Sequence, residues 1–178
     1  MKQLLKKFAV ACAMLFPASS FAASEEIVST TLCELASHPD SFNHKLIKVA
    51  GEVTHGYRLF TLTDACKPNL SSIWLNYGGL VNPPSVFNPQ QADAPRLQQM
   101  IVEGMPTTLL DDALFIKFDK MVSTMSDRPQ AKATIVGRYF AGHPEQIGEF
   151  KLWKGYGPMN CCTLLVIQQV LQVEGISY

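Results

Sequence analysis

The residues of this chain whose types and spacing first suggest chemistry beyond packing are its five cysteines, its four histidines and the acidic doublet Asp111-Asp112. Cys161 and Cys162 are adjacent, while Cys33 and Cys66 stand far upstream. An exposed vicinal pair can cycle between dithiol and disulfide, so a thiol-based redox protein using Cys161 and Cys162 is the alternative functional class. Thiol oxidoreductases, however, place Cys-x-x-Cys at a helix start, where the amides lower a thiol pKa, and that spacing does not occur here. His38, His44, His55 and His143 fall in expected turns or element ends, with no His-x-His or His-Glu-x-x-His spacing. Surface histidine is a simpler reading than two of them meeting Asp40 or Asp64 around a metal. Asp111 and Asp112 stand where an amphipathic helix should begin, and capping explains them better than cation binding. There is no Gly-x-Ser-x-Gly elbow and no Walker sequence, and Gly155-Tyr156-Gly157 lacks the third glycine of a dinucleotide loop. No catalytic residue, metal ligand or cofactor is therefore assigned.

Those cysteines take their meaning from compartment. Lys2, Lys6 and Lys7 flank or precede the apolar run Phe8 to Phe16, and Ser20-Phe21-Ala22 puts small residues at the two positions a signal peptidase reads. Residues 1–22 are read as a secretory signal peptide, which makes the mature chain periplasmic or secreted. A lipoprotein reading at Cys12 would leave an apolar stretch too short for export. No later apolar run approaches the roughly 20 residues of a membrane-spanning helix. Losing Lys2, Lys6 and Lys7 with the leader reduces 15 basic side chains to 12 against 15 acidic ones, a formal charge of −3. The remaining Lys and Arg are scattered, which argues against nucleic acid as a partner, since phosphate backbones are held by clustered cations.

In an oxidising compartment Cys33, Cys66, Cys161 and Cys162 make an even set, and two disulfides are expected. One pairing joins the doublet to itself in a strained ring. The other two send Cys161 and Cys162 to separate partners, which suits neighbours on a strand because they point to opposite faces. Each such bridge closes a loop of about 95 to 130 residues, for which chain entropy gives at most about 4 to 5 kcal/mol. Which of the doublet meets Cys33 and which meets Cys66 stays open.

The elements that must position these residues follow from periodicity. Hydrophobic residues make up 47% of the chain, enough for one core, and residues 23–178 are read as a single domain. Thr31 and Glu34 have capping-box spacing before a short helix that Pro39 stops, with a turn over Asp40 to His44. Alternation marks strands at 45–53, 58–64 and 73–77, with Gly51 at a bulge or sharp coil. A Pro-rich insertion covers about 78–95. Residues 96–103 suggest a short helix and 107–110 a short strand. Leu114, Phe118, Met121, Val122 and Met125 recur at helical spacing over 112–125. Strands return at 132–140 and 163–173, the last strongly apolar, with a loop or small hairpin over 142–160. The fold class is mainly β with short helices: an OB-like five-stranded Greek-key barrel with a helical insertion between strands 3 and 4.

Several stretches also look familiar: Leu32-Cys33-Glu34-Leu35, His38-Pro39-Asp40-Ser41-Phe42, Lys48-Val49-Ala50-Gly51, Leu62-Thr63-Asp64-Ala65-Cys66, Ile73-Trp74-Leu75, Ile135-Val136-Gly137-Arg138-Tyr139-Phe140, Gly155-Tyr156-Gly157 and Leu164-Leu165-Val166-Ile167-Gln168. Together they resemble a group of small exported bacterial proteins of OB-like type and unsettled function. In that pattern a histidine often follows Gly-Tyr-Gly. Pro158 stands there in this chain, so no role for that histidine carries over. Because OB barrels commonly bind on the face of strands 2 and 3 and adjoining loops, Arg58, Trp74 and Tyr77 are binding candidates, together with Trp153 and Tyr156 in the late loop. The expected role is that of a non-enzymatic binding or interaction module of the bacterial envelope. Its partner would be an envelope protein, a glycan or a small ligand.

Overall fold

A computed structural model describes residues 25–57, 59–64, 72–79, 100–160 and 162–178. The expected leader, Arg58, Cys66, Cys161 and most of the Pro-rich insertion lie outside the described residues, as do the side chains of Lys151, Leu152 and Trp153. In chain order come β1 (Val28–Ser29), α1 (Leu32–Ser37), α2 (Pro39–Phe42), β2 (Leu46–Gly56), β3 (Leu59–Thr63) and β4 (Ile73–Tyr77). They are followed by β5 (Met100–Val102), β6 (Met105–Thr107), α3 (Ala113–Val122), β7 (Ala131–Phe140), β8 (His143–Ile147), β9 (Phe150–Lys154) and β10 (Leu164–Gly175).

Five of these strands close a barrel in the order β2-β3-β4-β10-β7, with β7 returning to β2. Every pairing in the ring is antiparallel except β4 with β10. That order and the single parallel pair are the OB-like arrangement, and α3 sits between the third and fourth barrel strands as expected. Two register shifts bend β10 against β7, at Ile167/Gln169 and Val170/Gln172, the local devices by which a strand curls into a small barrel. Gly51 marks the corner of β2: a Cβ there would sit 2.8 Å from the Thr63 carbonyl oxygen and 2.9 Å from Leu62 Cγ, so only glycine lets β3 approach. No helix among the described residues is long and apolar enough to cross a membrane.

Inside the barrel Leu62, Leu75, Ile135, Leu165 and Val170 are fully buried. Leu32 and Leu35 of α1 join this core, and the expected capping box is present, with Glu34 N–H donating to Thr31 Oγ1 and Thr31 N–H to the Glu34 carboxylate. Asp112 caps α3, its Oδ1 accepting from Phe115 N–H at 2.9 Å. The buried face of α3 is the expected one at Phe118, Met121 and Val122 and differs at its two ends. Phe115, Phe118 and Val122 enter the core while Leu114 and Met125 stay exposed, so the apolar stripe starts one residue later. Phe115 and Phe118 meet Tyr77 edge-on at 5.3 and 6.4 Å, and Tyr77 meets Phe60 at 5.3 Å. Burial of each such side chain stabilises the fold by roughly 1.5 to 3 kcal/mol.

Two other local expectations are corrected. Residues 100–107 form a β-hairpin rather than the end of a helix followed by a strand at 107–110. The two-residue tip, Glu103-Gly104, takes φ of 50° and 77°, the left-handed turn that matches strand twist. Pro39 does more than stop α1: it occupies the first position of α2, where its missing N–H costs nothing. The hairpin anticipated within 142–160 is β8–β9.

Candidate functional site

The barrel wall carries a second apolar cluster on its outside. Alternation along β10 sends Leu165 and Ile167 inward, leaving Leu164 and Val166 outward beside Phe140 of β7. Trp74 of β4, Val102 and Met105 of the β5–β6 hairpin, and Tyr156 pack over these three. The strong apolarity of β10 thus has a plain cause: the strand is covered on both faces.

The hairpin that roofs this cluster holds Glu103 at its tip, and the Glu103 carboxylate joins two distant parts of the chain. Oε2 accepts from His44 Nε2 at 2.7 Å, and Oε1 accepts from the Tyr156 hydroxyl. The phenol hydrogen bond, then that from His44, and then the charges of His44 and His143 hold the Glu103 carboxyl below the usual range. An ionised carboxylate only accepts, so His44 must carry its proton on Nε2. Burial first, and Glu103 second, push the Tyr156 hydroxyl well above the ordinary phenol range, and it remains a donor.

Backbone geometry aims each member. Among the described residues three non-glycines take positive φ: His44 at 64°, Glu103 at 50° and Asn160 at 53°. Two of the three are therefore in the array itself, and the left-handed region disfavours such residues. His44 is fixed between α2 and β2 by its N–H donating to the Tyr139 carbonyl at 2.8 Å, and its ring meets Phe140 edge-on at 5.6 Å. Tyr156 is clamped by a reciprocal backbone pair with Cys162, at 2.8 and 3.1 Å. Gly157 follows at φ 71° and lies against the Trp74 indole, where a Cβ would come within 2.8 Å of the ring.

The five binding candidates separate accordingly. Tyr156 belongs to the array, and Trp74 lies beneath its loop. Tyr77 is buried among Phe60, Phe115 and Phe118 and presents no face to a ligand: its side chain points into the barrel because it shares the inward phase of Ile73 and Leu75. Trp153 lies on β9, and Arg58 falls outside the described residues. Glu103 and His44 were missed as site residues. The only sequence signal was Glu-Gly, which marks a turn and says nothing of a partner 59 residues away.

His55 has another role. Its ring is buried, Nδ1 lies 2.6 Å from the Val122 carbonyl, and its backbone N–H donates to Gln130 Oε1. It ties the end of α3 to β2. A separate open groove of about 340 Å³ runs past Gly51 and Thr134, edged by the solvated Glu52–Lys132 pair at 3.6 Å. Among the described residues no group of three His, Cys, Asp or Glu is placed to hold a metal ion.

No family model, curated protein or solved structure matches the chain.

Proposed function

We propose that the chain is an exported binding or interaction module of the bacterial envelope, and that it presents to its ligand Glu103, His44 and Tyr156, which stand on the hairpin and loops that roof the outer face of β4, β10 and β7. One observation carries this reading: His44, a non-glycine between α2 and β2, adopts a disfavoured backbone conformation at a half-exposed polar array. A surface contact of this kind contributes little stability, at most about 1 kcal/mol, so strain retained at His44 to make it points to use rather than to folding. The array offers an ionised carboxylate, an imidazole and a phenol above a floor of Phe140. That combination suits a polar ligand with hydroxyl or cationic groups: an envelope protein, a glycan or a small molecule.

Export accounts for the basic-apolar-small pattern of residues 1–22. It also places the chain where its cysteines would be oxidised. Tyr139 pairs with Leu165 at the start of β10 and its carbonyl accepts from His44 N–H just after α2, so the entrance of β10 lies near the end of α2. A bridge from the cysteine doublet to Cys33 fits that neighbourhood.

Capture from envelope extract tests the reading, using the oxidised mature chain and its Glu103→Gln and Tyr156→Phe variants. The expected result is one saturable partner that both variants lose. A partner held equally by all three chains would remove the array from the binding face, and a hydrolytic activity abolished at one His or Asp would replace the binding role altogether.

A further inference from the structure

The amino-terminal strap, residues 25–29, occupies a place with the features of a peptide site. Beyond Gly51, β2 pairs with β3 on one edge and β7 on the other. Before Gly51, only β7 is shared, and the free edge is taken by β1. Val28 lies in parallel register with Ile47 and Ser29 with Lys48, and Thr30 N–H donates to the Lys48 carbonyl at 3.0 Å. Three residues before Val28, the Glu25 carboxylate grips Arg138 in bidentate fashion, with Nη1 to Oε1 at 2.7 Å and Nη2 to Oε2 at 2.5 Å.

Arg138 is unusual for a cation. Only 7% of it is exposed, against 48% of the Glu25 side chain. Nη1 also donates to the His44 carbonyl at 2.7 Å, while the buried Nε has no hydrogen-bond partner among the described residues. The cation is thus built into the barrel wall and its anion is delivered from outside. A guanidinium fork reads a carboxylate by geometry as well as by charge, and a buried cation stripped of its partner is strongly disfavoured. The strap can therefore leave only when another carboxylate takes its place. The other ties seen here, two paired residues and a partly buried Val28, are those of an added strand, which affinity by main-chain pairing makes exchangeable.

We propose that Arg138 and the free edge of β2 form a docking site for an extended peptide strand carrying an acidic residue three positions before a β-branched one, and that Glu25–Ser29 is its resident occupant. The site goes beyond the binding role proposed above and does not depend on it. It touches the Glu103 array only through the His44 carbonyl.

The test uses the full mature chain bearing Glu25→Ala, with the peptide of residues 25–31 as probe and the Arg138 Nε–Hε NMR resonance as readout. The peptide should shift that resonance saturably. An analogue with Gln in place of its first Glu should bind about tenfold more weakly or worse, the loss expected for a charge-assisted pair. Formate should shift the same resonance where chloride at equal ionic strength does not. The unsubstituted chain, its site filled by the tethered strap, should bind the peptide at least about tenfold more weakly than the variant. If Glu25→Ala does not fold, Glu25→Gln keeps neutral hydrogen bonds to Arg138 and serves instead. Equal affinity for both peptides, or no saturable shift, would overturn the proposal. Concentration-dependent dimerisation with the strap of one copy on the next would make a second copy the occupant and overturn the choice of a foreign peptide.

Discussion

Two histidines at opposite ends of β2 show how differently this barrel treats its polar groups. His55 is buried, lies against Phe60 with ring centroids 5.0 Å apart and tilted at 55°, and reaches the last carbonyl of α3. His44 is half-exposed, sits in the left-handed region and faces the ionised Glu103. In the first place a polar group is satisfied and packed, so its removal should be felt throughout the fold. In the second a conformational cost is carried for a contact that solvent screens. The difference separates a device that holds the fold from one that is held by it.

The sharpest way to mark the structural side is Phe118→Ala, which empties the core beneath Tyr77. Urea unfolding should show a loss of about 3 to 5 kcal/mol, and a loss below about 1 kcal/mol would mean that α3 does not plug the barrel. Next comes His55→Ala. It strands the Val122 carbonyl and should lower stability by about 1 to 3 kcal/mol by the same measurement. Gly157→Ala is intermediate: its Cβ would meet the Trp74 ring and its φ of 71° is disfavoured for alanine, so about 1 to 2 kcal/mol should be lost. Tryptophan fluorescence should shift with it.

The smallest effect is the pH dependence of the Glu103 array. Because the folded carboxyl lies below its unfolded value, its contribution is complete above the unfolded carboxylate range and is lost as pH falls through the folded value. Glu25, held down by Arg138, has the same sign. Glu103 is more than a third exposed, so solvent screening keeps its share small. Glu103→Gln should lower the neutral plateau of the stability profile slightly and leave its acid end unchanged, so that the acid limb is flatter.

The legible parts of the sequence were those whose signal is local. Thr31 and Glu34 lie three residues apart, and the capping box formed as read. Alternation through Ile73-Trp74-Leu75-Asn76-Tyr77 locates β4 and its inward face, and that same phase buries Tyr77, which takes it off the binding surface expected of it. Helical spacing locates Phe118, Met121 and Val122 on the buried face of α3, but the face begins at Phe115 rather than Leu114, because both are apolar and only the barrel decides between them. The Glu103 array was illegible for a different reason. Its members come from the end of α2, the tip of β5–β6 and the loop after β9, and each alone is an ordinary surface residue. Glu25 and Arg138, 113 residues apart, were hidden in the same way.

The central contrast is tested most directly by the urea unfolding free energy of His44→Gly. Glycine removes about 1 to 2 kcal/mol of left-handed strain, offset by its own chain entropy and by the lost exposed contact to Glu103, worth at most about 1 kcal/mol. The net change should stay within about 1 kcal/mol of the unsubstituted chain. A loss of about 3 kcal/mol, of the size expected at His55, would make the Glu103 array part of the scaffold and contradict its assignment as the presented face.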